Sequence, residues 1–392
     1  MKQPILIVGG GLGGLTTALA LAQRGWPVRV LEGAPEFGAI GYGIQFGPNV
    51  FHVFDRIGLR HEVLAASDAP SALLMFDALN GTEVTRIRTG ASLRDRFKYP
   101  YIIVHRVDLH NVLLEACRRD PLVTLEADAM VNGFVDHGDR VTVKTEDGRS
   151  FEGTLLIGAD GIRSRTRAQL LDDGEPLPNG YMGFRTIVPI EQVPAGVQTD
   201  IVALWAGPGF HIVHYPLRHG TLFNIVAVFR RTANSERGDS AAYRAELEHV
   251  YRNAHPTVKS LIAMLDLKRR QAIGDRDPVR HWHKGRVVLL GDAAHPTLQS
   301  LAQGACMAIE DGLCLADCIA AGNGDHEAAF GRFEKLRSVR TARVTLESRY
   351  IWDVYHAEGI NREVYFQMMG ERGEADTFQC LAWLYDGFAS TK

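Results

Sequence analysis

The chain has 392 residues, of which 46% are hydrophobic and 23% charged, with a formal net charge of −3. That length exceeds one small core and predicts two or three folding units at about 150 residues each. The balanced charge argues against nucleic acid and anionic membranes as partners, and no apolar run approaches the ~18 residues of a membrane span.

Five cysteines, Cys117, Cys306, Cys314, Cys318 and Cys380, are an odd number without C-x-x-C spacing. This argues against a disulfide framework and against a metal site, and it predicts a reducing cytoplasm. Cys314 and Cys318 share a helix face and read as core packing.

In chain order, the first strand is Pro4 to Val8, followed by Gly9-Gly10-Gly11-Leu12-Gly13-Gly14. This G-x-G-x-x-G turn opens a helix whose N-terminus can hold a pyrophosphate. Gly9 makes the tight turn, Gly11 lets backbone approach phosphate, and Gly14 lets helix and strand pack closely. A second strand, Pro27 to Leu31, ends at Glu32, 18 residues past Gly14, near the spacing of an acid that accepts from ribose hydroxyls. Strand, turn, helix and acid together predict a dinucleotide site; the alternative is a glycine-rich turn in another α/β fold. A glycine-rich crossover, Glu36 to Gln45, comes next. Residues 50–60 and 107–118 read as helices. Residues 122–126, 140–145 and 150–157 read as strands of a small β unit, with Glu146-Asp147-Gly148 as its turn.

From about Tyr181 the hydrophobic period changes to two. Residues 181–189, 201–206, 210–217 and 222–230 read as antiparallel strands, the last two joined by Arg218-His219-Gly220. Helices follow near 241–252 and 256–265. A short buried strand at 286–290 re-enters the nucleotide domain, and the chain is mostly helical from about Glu327. The fold class is α/β: a Rossmann-like dinucleotide domain with an inserted mixed or antiparallel β-sheet domain and a helical C-terminal region. The expected boundaries are 1–70, 101–178 and 276–326 for the nucleotide domain, 71–100 and 179–275 for the substrate domain, and 327–392 for the helical end.

Two further strand-to-turn motifs decide which dinucleotide is bound. Gly158-Ala159-Asp160-Gly161-Ile162-Arg163-Ser164 ends one apolar strand, with Ser164 placed to cap the next helix. Gly291-Asp292-Ala293-Ala294-His295-Pro296 ends another and leaves the Asp292 carboxylate at the edge of a sheet, where it can accept from the hydroxyls of a ribityl chain. Gly304-Ala305 begins a helix expected to run to about Ala316, whose N-terminus favours negative charge on a reduced flavin.

With these motifs in this order, the chain resembles the single-component flavoprotein aromatic hydroxylases of the 4-hydroxybenzoate hydroxylase-like group along essentially its whole length. The resemblance implies tightly bound FAD and a transient NADH or NADPH, for which no second G-x-G-x-x-G exists. It implies that Gly9, Gly11, Leu12, Gly13 and Gly14 form the phosphate turn and that Glu32 holds the adenosine ribose. Met130 would offer backbone to the adenine, and Arg106 and Asp292 would contact the linker. Gln45, Gly304 and Ala305 would lie near the isoalloxazine, and Asp160 would serve both the pyrophosphate and the nicotinamide. The residues alone also allow Arg106 as a salt-bridge partner at a helix start, Asp160 as a turn residue and His295 as structural.

Leu204 to Pro208, His211 to Arg218, Gly291 to Asp311, Val354 to Gly359 and Trp383 to Tyr385 are most similar to 3-hydroxybenzoate 6-hydroxylases. Carried across, this makes His211, Tyr215 and Gln299 catalytic pocket residues, with Tyr101 a further substrate contact. Strand alternation puts His211, Val213 and Tyr215 on one face. A neutral imidazole titrating near ~6.5 can accept the proton of a phenol whose pKa is near ~10; a buried structural histidine is the plain alternative. Tyr101, Tyr215 and Arg185 all remain open for the substrate carboxylate.

The implied reaction is hydroxylation of a small aromatic acid with NAD(P)H and O₂ through a flavin C4a-hydroperoxide, 3-hydroxybenzoate giving 2,5-dihydroxybenzoate (gentisate). Such enzymes are often homodimers. Salicylate and 6-hydroxynicotinate hydroxylases share the cofactor motifs and are the rival readings, and a non-catalytic dinucleotide-binding protein is the rival of a different class. Neither G-x-S-x-G nor H-E-x-x-H occurs, which leaves a serine or zinc hydrolase without support.

Overall fold

The computed structural model describes residues 3–38, 41–231, 240–268 and 270–388. Ala39 and Ile40 of the glycine-rich crossover lie outside them. Among the described residues the core of the nucleotide unit is a six-stranded sheet in the order His283–Lys284, Val287–Leu289, Leu156–Gly158, Ile5–Val8, Val28–Leu31, Val123–Glu126. Every pairing is parallel except that of the short edge strand His283–Lys284. Ile5–Val8 is wholly buried because Ile5 and Ile7 pack under helices on one face, while Leu6 and Val8 on the other pack against Val131, Val141, Val143 and Phe151 of a small antiparallel sheet. The chain leaves this strand to one side toward Val28 and returns on the other at Leu156. That reversal puts a crevice at the carboxyl end of Ile5–Val8, where ligands bind in open α/β sheets.

A seven-stranded sheet forms the second layer, in the order Arg270–Asp275, Leu177–Pro189, Leu222–Arg230, Phe210–Leu217, Val202–Gly207, Ala72–Asp77, Glu83–Arg88. It is mixed, since Val202–Gly207 runs parallel to Ala72–Asp77. One face carries Phe184, Ile212, Phe223, Ile225 and Phe229 and packs under the helices Ser240–Val250 and Pro256–Ala263. The opposite face, with Val213 and Tyr215, turns toward Ile103 of the nucleotide unit. The chain ends in a 31-residue helix, His326–His356, and two shorter ones, Gly359–Gly370 and Glu374–Tyr385. No described helix is long and apolar enough to cross a membrane.

Three local readings change. The 150–157 segment is two strands in different sheets. Ser150–Gly153 alternates buried and exposed and pairs with Val141–Thr145, whereas Leu156–Gly158 is buried throughout and joins the parallel sheet. The 50–60 helix breaks into Phe51–Arg56 and Arg60–Ala65, because Gly58 at φ +76° turns the chain left-handed and ends the first helix. Val131–Asp136, a third strand beside Val141–Thr145, was not expected; Asn132 and Gly133 weaken its β pattern.

Behind the crevice lies a buried ionic network. On the helix Gly304–Ala321, Glu310 and Asp311 are fully buried, as is Arg337. Arg337 donates to Asp311 at 2.7 Å and to Glu310 at 2.6 Å, and Asp311 also accepts from the Gly291 amide at 3.0 Å and pairs with His295 at 2.6 Å. Asn49 and Arg340 donate to Glu310. His295 is thus structural, and the network pins the turn that carries Asp292. Burial alone would raise the Asp311 carboxyl, but His295 and Arg337 outweigh it and hold it at about 2. Its native value lies below the unfolded value of ~3.9. The stability it contributes is therefore present above about pH 4 and lost as pH falls toward about 2. Arg337→Met is expected to cost about 3 kcal/mol in urea unfolding at neutral pH, because it removes the cation shared by two buried carboxylates, and to start acid unfolding at a higher pH.

Candidate functional site

The glycine turn is built as its spacing requires. Gly9 has φ +106°, and a Cβ there would overlap the Ala159 carbonyl of the neighbouring strand end. A Cβ on Gly14 would overlap the Gly9 carbonyl, so the first helix, Leu12–Ala22, lies directly on the turn. Gly13 faces Ala308 of the helix Gly304–Ala321. A Cβ on Gly11 would meet nothing within 4 Å, so the space before the helix N-terminus is open. Glu32 stands at the end of its strand and accepts from the Gly10 amide at 2.7 Å and the Ala34 amide at 2.9 Å. The Met130 side chain closes over Gly33 beside it.

Farther along the crevice, Arg106 begins the helix Arg106–Arg119 and is exposed, as is Asp292. The protein walls raise the Asp292 carboxyl, while His295 and Arg106 pull it down. A Cβ on Gly304 would lie 3.6 Å from Asp292 Oδ1, so this carboxylate sits beside the start of the 18-residue helix Gly304–Ala321. Asp160 accepts from Ser164 Oγ at 2.5 Å and from the Thr166 amide and hydroxyl at 3.0 Å each. Ser164 accepts from the Arg167 amide at 2.8 Å, the cap its position predicts. An open space before a helix N-terminus, an acid at a strand end and an exposed carboxylate at a helix start, ranged along one crevice, fit an extended dinucleotide such as FAD.

The second group of side chains hangs from the large sheet. Its register aligns Arg185 with Val226 and Val213, one row from Tyr215 and Asn224 and one row from His211 and Val228. Tyr101 Oη donates to Gln45 Oε1 at 2.6 Å. The Tyr215 ring packs where a Gly43 side chain would be, and Asn224 Oδ1 accepts from the Gly43 amide at 3.0 Å. The Gly43–Phe46 strand is thereby tied to the sheet, with Gln45 between the two tyrosines. Burial pushes the Tyr215 phenol up to about 12, against opposing pulls from Arg185 and the Gln45 amide, and burial likewise raises Tyr101. Both stay protonated near neutral pH. Arg185 is half-buried, lies over the Tyr42 ring at 6.0 Å and donates to Gln299 Oε1 at 2.6 Å. Gln299 therefore joins the pocket through Arg185. His211 is 1% exposed, and burial, then His356 and Arg185, lower it well below the usual imidazole value.

His211, Tyr215 and Gln299 thus come together around Arg185, and Gln45 joins Tyr101 to Tyr215 beside them. What the sequence reading missed is the back wall. Trp352, Tyr355 and His356, in the last turns of the long helix, lie 5.4, 5.8 and 4.9 Å from the His211 ring, and His356 Nε2 is 2.8 Å from His211 Nδ1. Trp352 and His356 are four residues apart, so they share a helix face. That spacing was a readable signal, but nothing local says which strand the face meets.

The FAD binding domain family matches residues 2–338. Over 382 residues the chain is 39% identical to the 3-hydroxybenzoate 6-hydroxylase of Polaromonas naphthalenivorans, covering 97% of this chain and 95% of that protein. It is 32% identical to the 6-hydroxynicotinate 3-monooxygenase of Bordetella bronchiseptica, covering 88% and 90%. Among solved structures, Klebsiella pneumoniae HpxO complexed with FAD and uric acid superposes with a TM-score of 0.85 at 28% identity, covering 97% of both chains.

Proposed function

We propose, from the premise that this chain belongs to the FAD binding domain family and is an FAD-dependent aromatic monooxygenase, that it converts 3-hydroxybenzoate to 2,5-dihydroxybenzoate. The observation that carries this reading is a buried neutral histidine and an arginine in one aromatic-walled pocket, on the sheet face turned toward the cofactor crevice. These are the two groups a phenolic acid needs, one for its hydroxyl and one for its carboxylate.

In this reading Gly9, Gly11, Leu12, Gly13 and Gly14 hold the pyrophosphate, Glu32 and Met130 the adenosine end, Arg106 and Asp292 the linker, and Gln45, Gly304 and Ala305 the ring. Asp160 shapes the adjoining loop for pyrophosphate and nicotinamide. FAD, reduced by NADH or NADPH and reoxidised by O₂, supplies the oxygen-transfer chemistry. The protein supplies placement and proton handling. His211 accepts the hydroxyl proton, which raises electron density at carbon 6, para to the oxygen. Tyr101 and Tyr215, held as neutral phenols, wall the pocket against water. Cys117, Cys306, Cys314, Cys318 and Cys380 are all unpaired, in keeping with a cytoplasmic setting.

Arg185 binds the carboxylate and also gates the base. Its charge depresses His211, and an arriving carboxylate cancels that charge, so His211 gains basicity as the substrate binds. Arg185→Met is expected to raise KM for the aromatic acid about 10–100-fold, the loss of a charged hydrogen bond of about 1.5–3 kcal/mol. Steady-state kinetics of the FAD-loaded variant measure this; an unchanged KM would remove Arg185 from the site.

The reading as a whole is tested by a substrate screen on the yellow protein. NADH consumption is followed with 3-hydroxybenzoate, salicylate, 4-hydroxybenzoate and 6-hydroxynicotinate, and products are identified by chromatography. Gentisate in proportion to NADH is the expected result. A hydroxylated product from another acid would keep the chemistry and replace the substrate.

A further inference from the structure

The back wall of the pocket fixes which nitrogen of His211 can act as a base. His356 Nδ1 lies 2.7 Å from the Trp352 carbonyl oxygen. A carbonyl only accepts, so Nδ1 of His356 carries the proton. Burial, outweighing the Trp352 hydrogen bond, pushes the His356 imidazole down to about 3, so the ring is neutral and its Nε2 is a bare lone pair. His211 Nδ1, 2.8 Å from that lone pair, must then donate. A neutral His211 with its proton on Nδ1 has its own lone pair on Nε2. Among the described residues no protein group hydrogen-bonds that Nε2, so its lone pair is free to accept.

We propose that His356 is a positioning residue that locks His211 in the Nδ1–H tautomer, keeping Nε2 as the acceptor for the substrate hydroxyl proton. The transfer breaks the phenolic O–H bond and forms N–H at Nε2. The oxygen keeps the electron pair as phenolate, and His211 becomes an imidazolium whose Nδ1–H still donates to His356. The pair sits at the carboxyl end of the 31-residue helix, whose dipole favours positive charge there. Without His356, the Nε2–H tautomer becomes available, and it would present the substrate hydroxyl with a donor instead of an acceptor. The charged and titratable groups around the pair are Arg185, Tyr251 and Tyr355 near His211, and Tyr181 and Arg230 near His356.

This inference deepens the hydroxybenzoate reading, but its first test needs no substrate. FAD-loaded enzyme carrying ¹⁵N-imidazole histidine is examined by long-range ¹H–¹⁵N NMR, with His211 assigned by its loss in His211→Asn. The expected pattern is a protonated Nδ1 and a bare Nε2. A protonated Nε2 or an averaged ring in the wild type would overturn the proposal.

Two variants extend the test. In His356→Gln, the side-chain amide can donate to Trp352 and its oxygen can accept from His211, so the tautomer should persist. In His356→Leu it should be lost, with product formation falling about tenfold or more and the ionisation of bound 3-hydroxybenzoate, read by its absorbance, moving to higher pH. If His356→Leu lowers only thermal stability or FAD content, with tautomer and ionisation intact, the role is structural and the proposal fails. If the tautomer is as stated but 3-hydroxybenzoate is not turned over, the proposal stands and the substrate assignment falls.

Discussion

His211→Ala is expected to yield a yellow, FAD-loaded protein that consumes NADH but makes at least about 100-fold less hydroxylated product, the low end of a positioned base's contribution of roughly 10²–10⁴. The side chain hangs from the large sheet, in the Phe210–Leu217 strand, whereas the phosphate turn belongs to the parallel sheet. Removing it therefore spares cofactor binding. Without an acceptor the phenol keeps its proton, the ring is a poor nucleophile, and the reduced oxygen leaves as hydrogen peroxide. Gentisate and peroxide formed per NADH measure the split. Product still matching NADH one for one would show that His211 is only a packed core histidine.

Gly11→Val is expected to give the cleanest loss of cofactor. Gly9 and Gly14 have no room for a side chain, so substitution there damages the fold as well as the site. Gly11 has free space around its α-carbon, where a β-carbon would meet no protein atom within 4 Å. In the proposed binding mode, what the valine fills is the volume of the FAD pyrophosphate. Losing two charge-assisted contacts at about 1.5–3 kcal/mol each weakens binding by at least 100-fold. The purified variant should be colourless, with the circular dichroism and unfolding midpoint of apo wild type, and titration with FAD should show the lowered affinity. A yellow Gly11→Val protein would move the pyrophosphate away from the first helix.

The geometry of the proposed cofactor half was legible because it is local. The turn from Gly9 to Gly14, the acid at Glu32 and the Gly-Asp step at Asp292 each follow a buried strand, and backbone geometry within a few residues dictates their identities. The pocket half was legible only where strand alternation applies, which placed His211 and Tyr215 on one face. Alternation says nothing of register between strands, and so left Tyr101, Tyr215 and Arg185 as equal claimants for the carboxylate. The pairing of Arg185 with Val226, and of Val226 with Val213, brings the one guanidinium among those three claimants into the pocket, held by Gln299.

By itself the sequence determined the α/β class, the flavin crevice and the chemistry its motifs carry, since these depend on hydrophobic period and on glycine and acid positions close together in the chain. Only the tertiary structure decided which proton His211 holds. That depends on a contact spanning 145 residues between Nδ1 of His211 and Nε2 of His356, and on the Trp352 carbonyl one turn before His356, which accepts from its Nδ1. A hydrogen-bond direction inherited through three groups is set by how helix and sheet dock, and no local pattern in the chain encodes it.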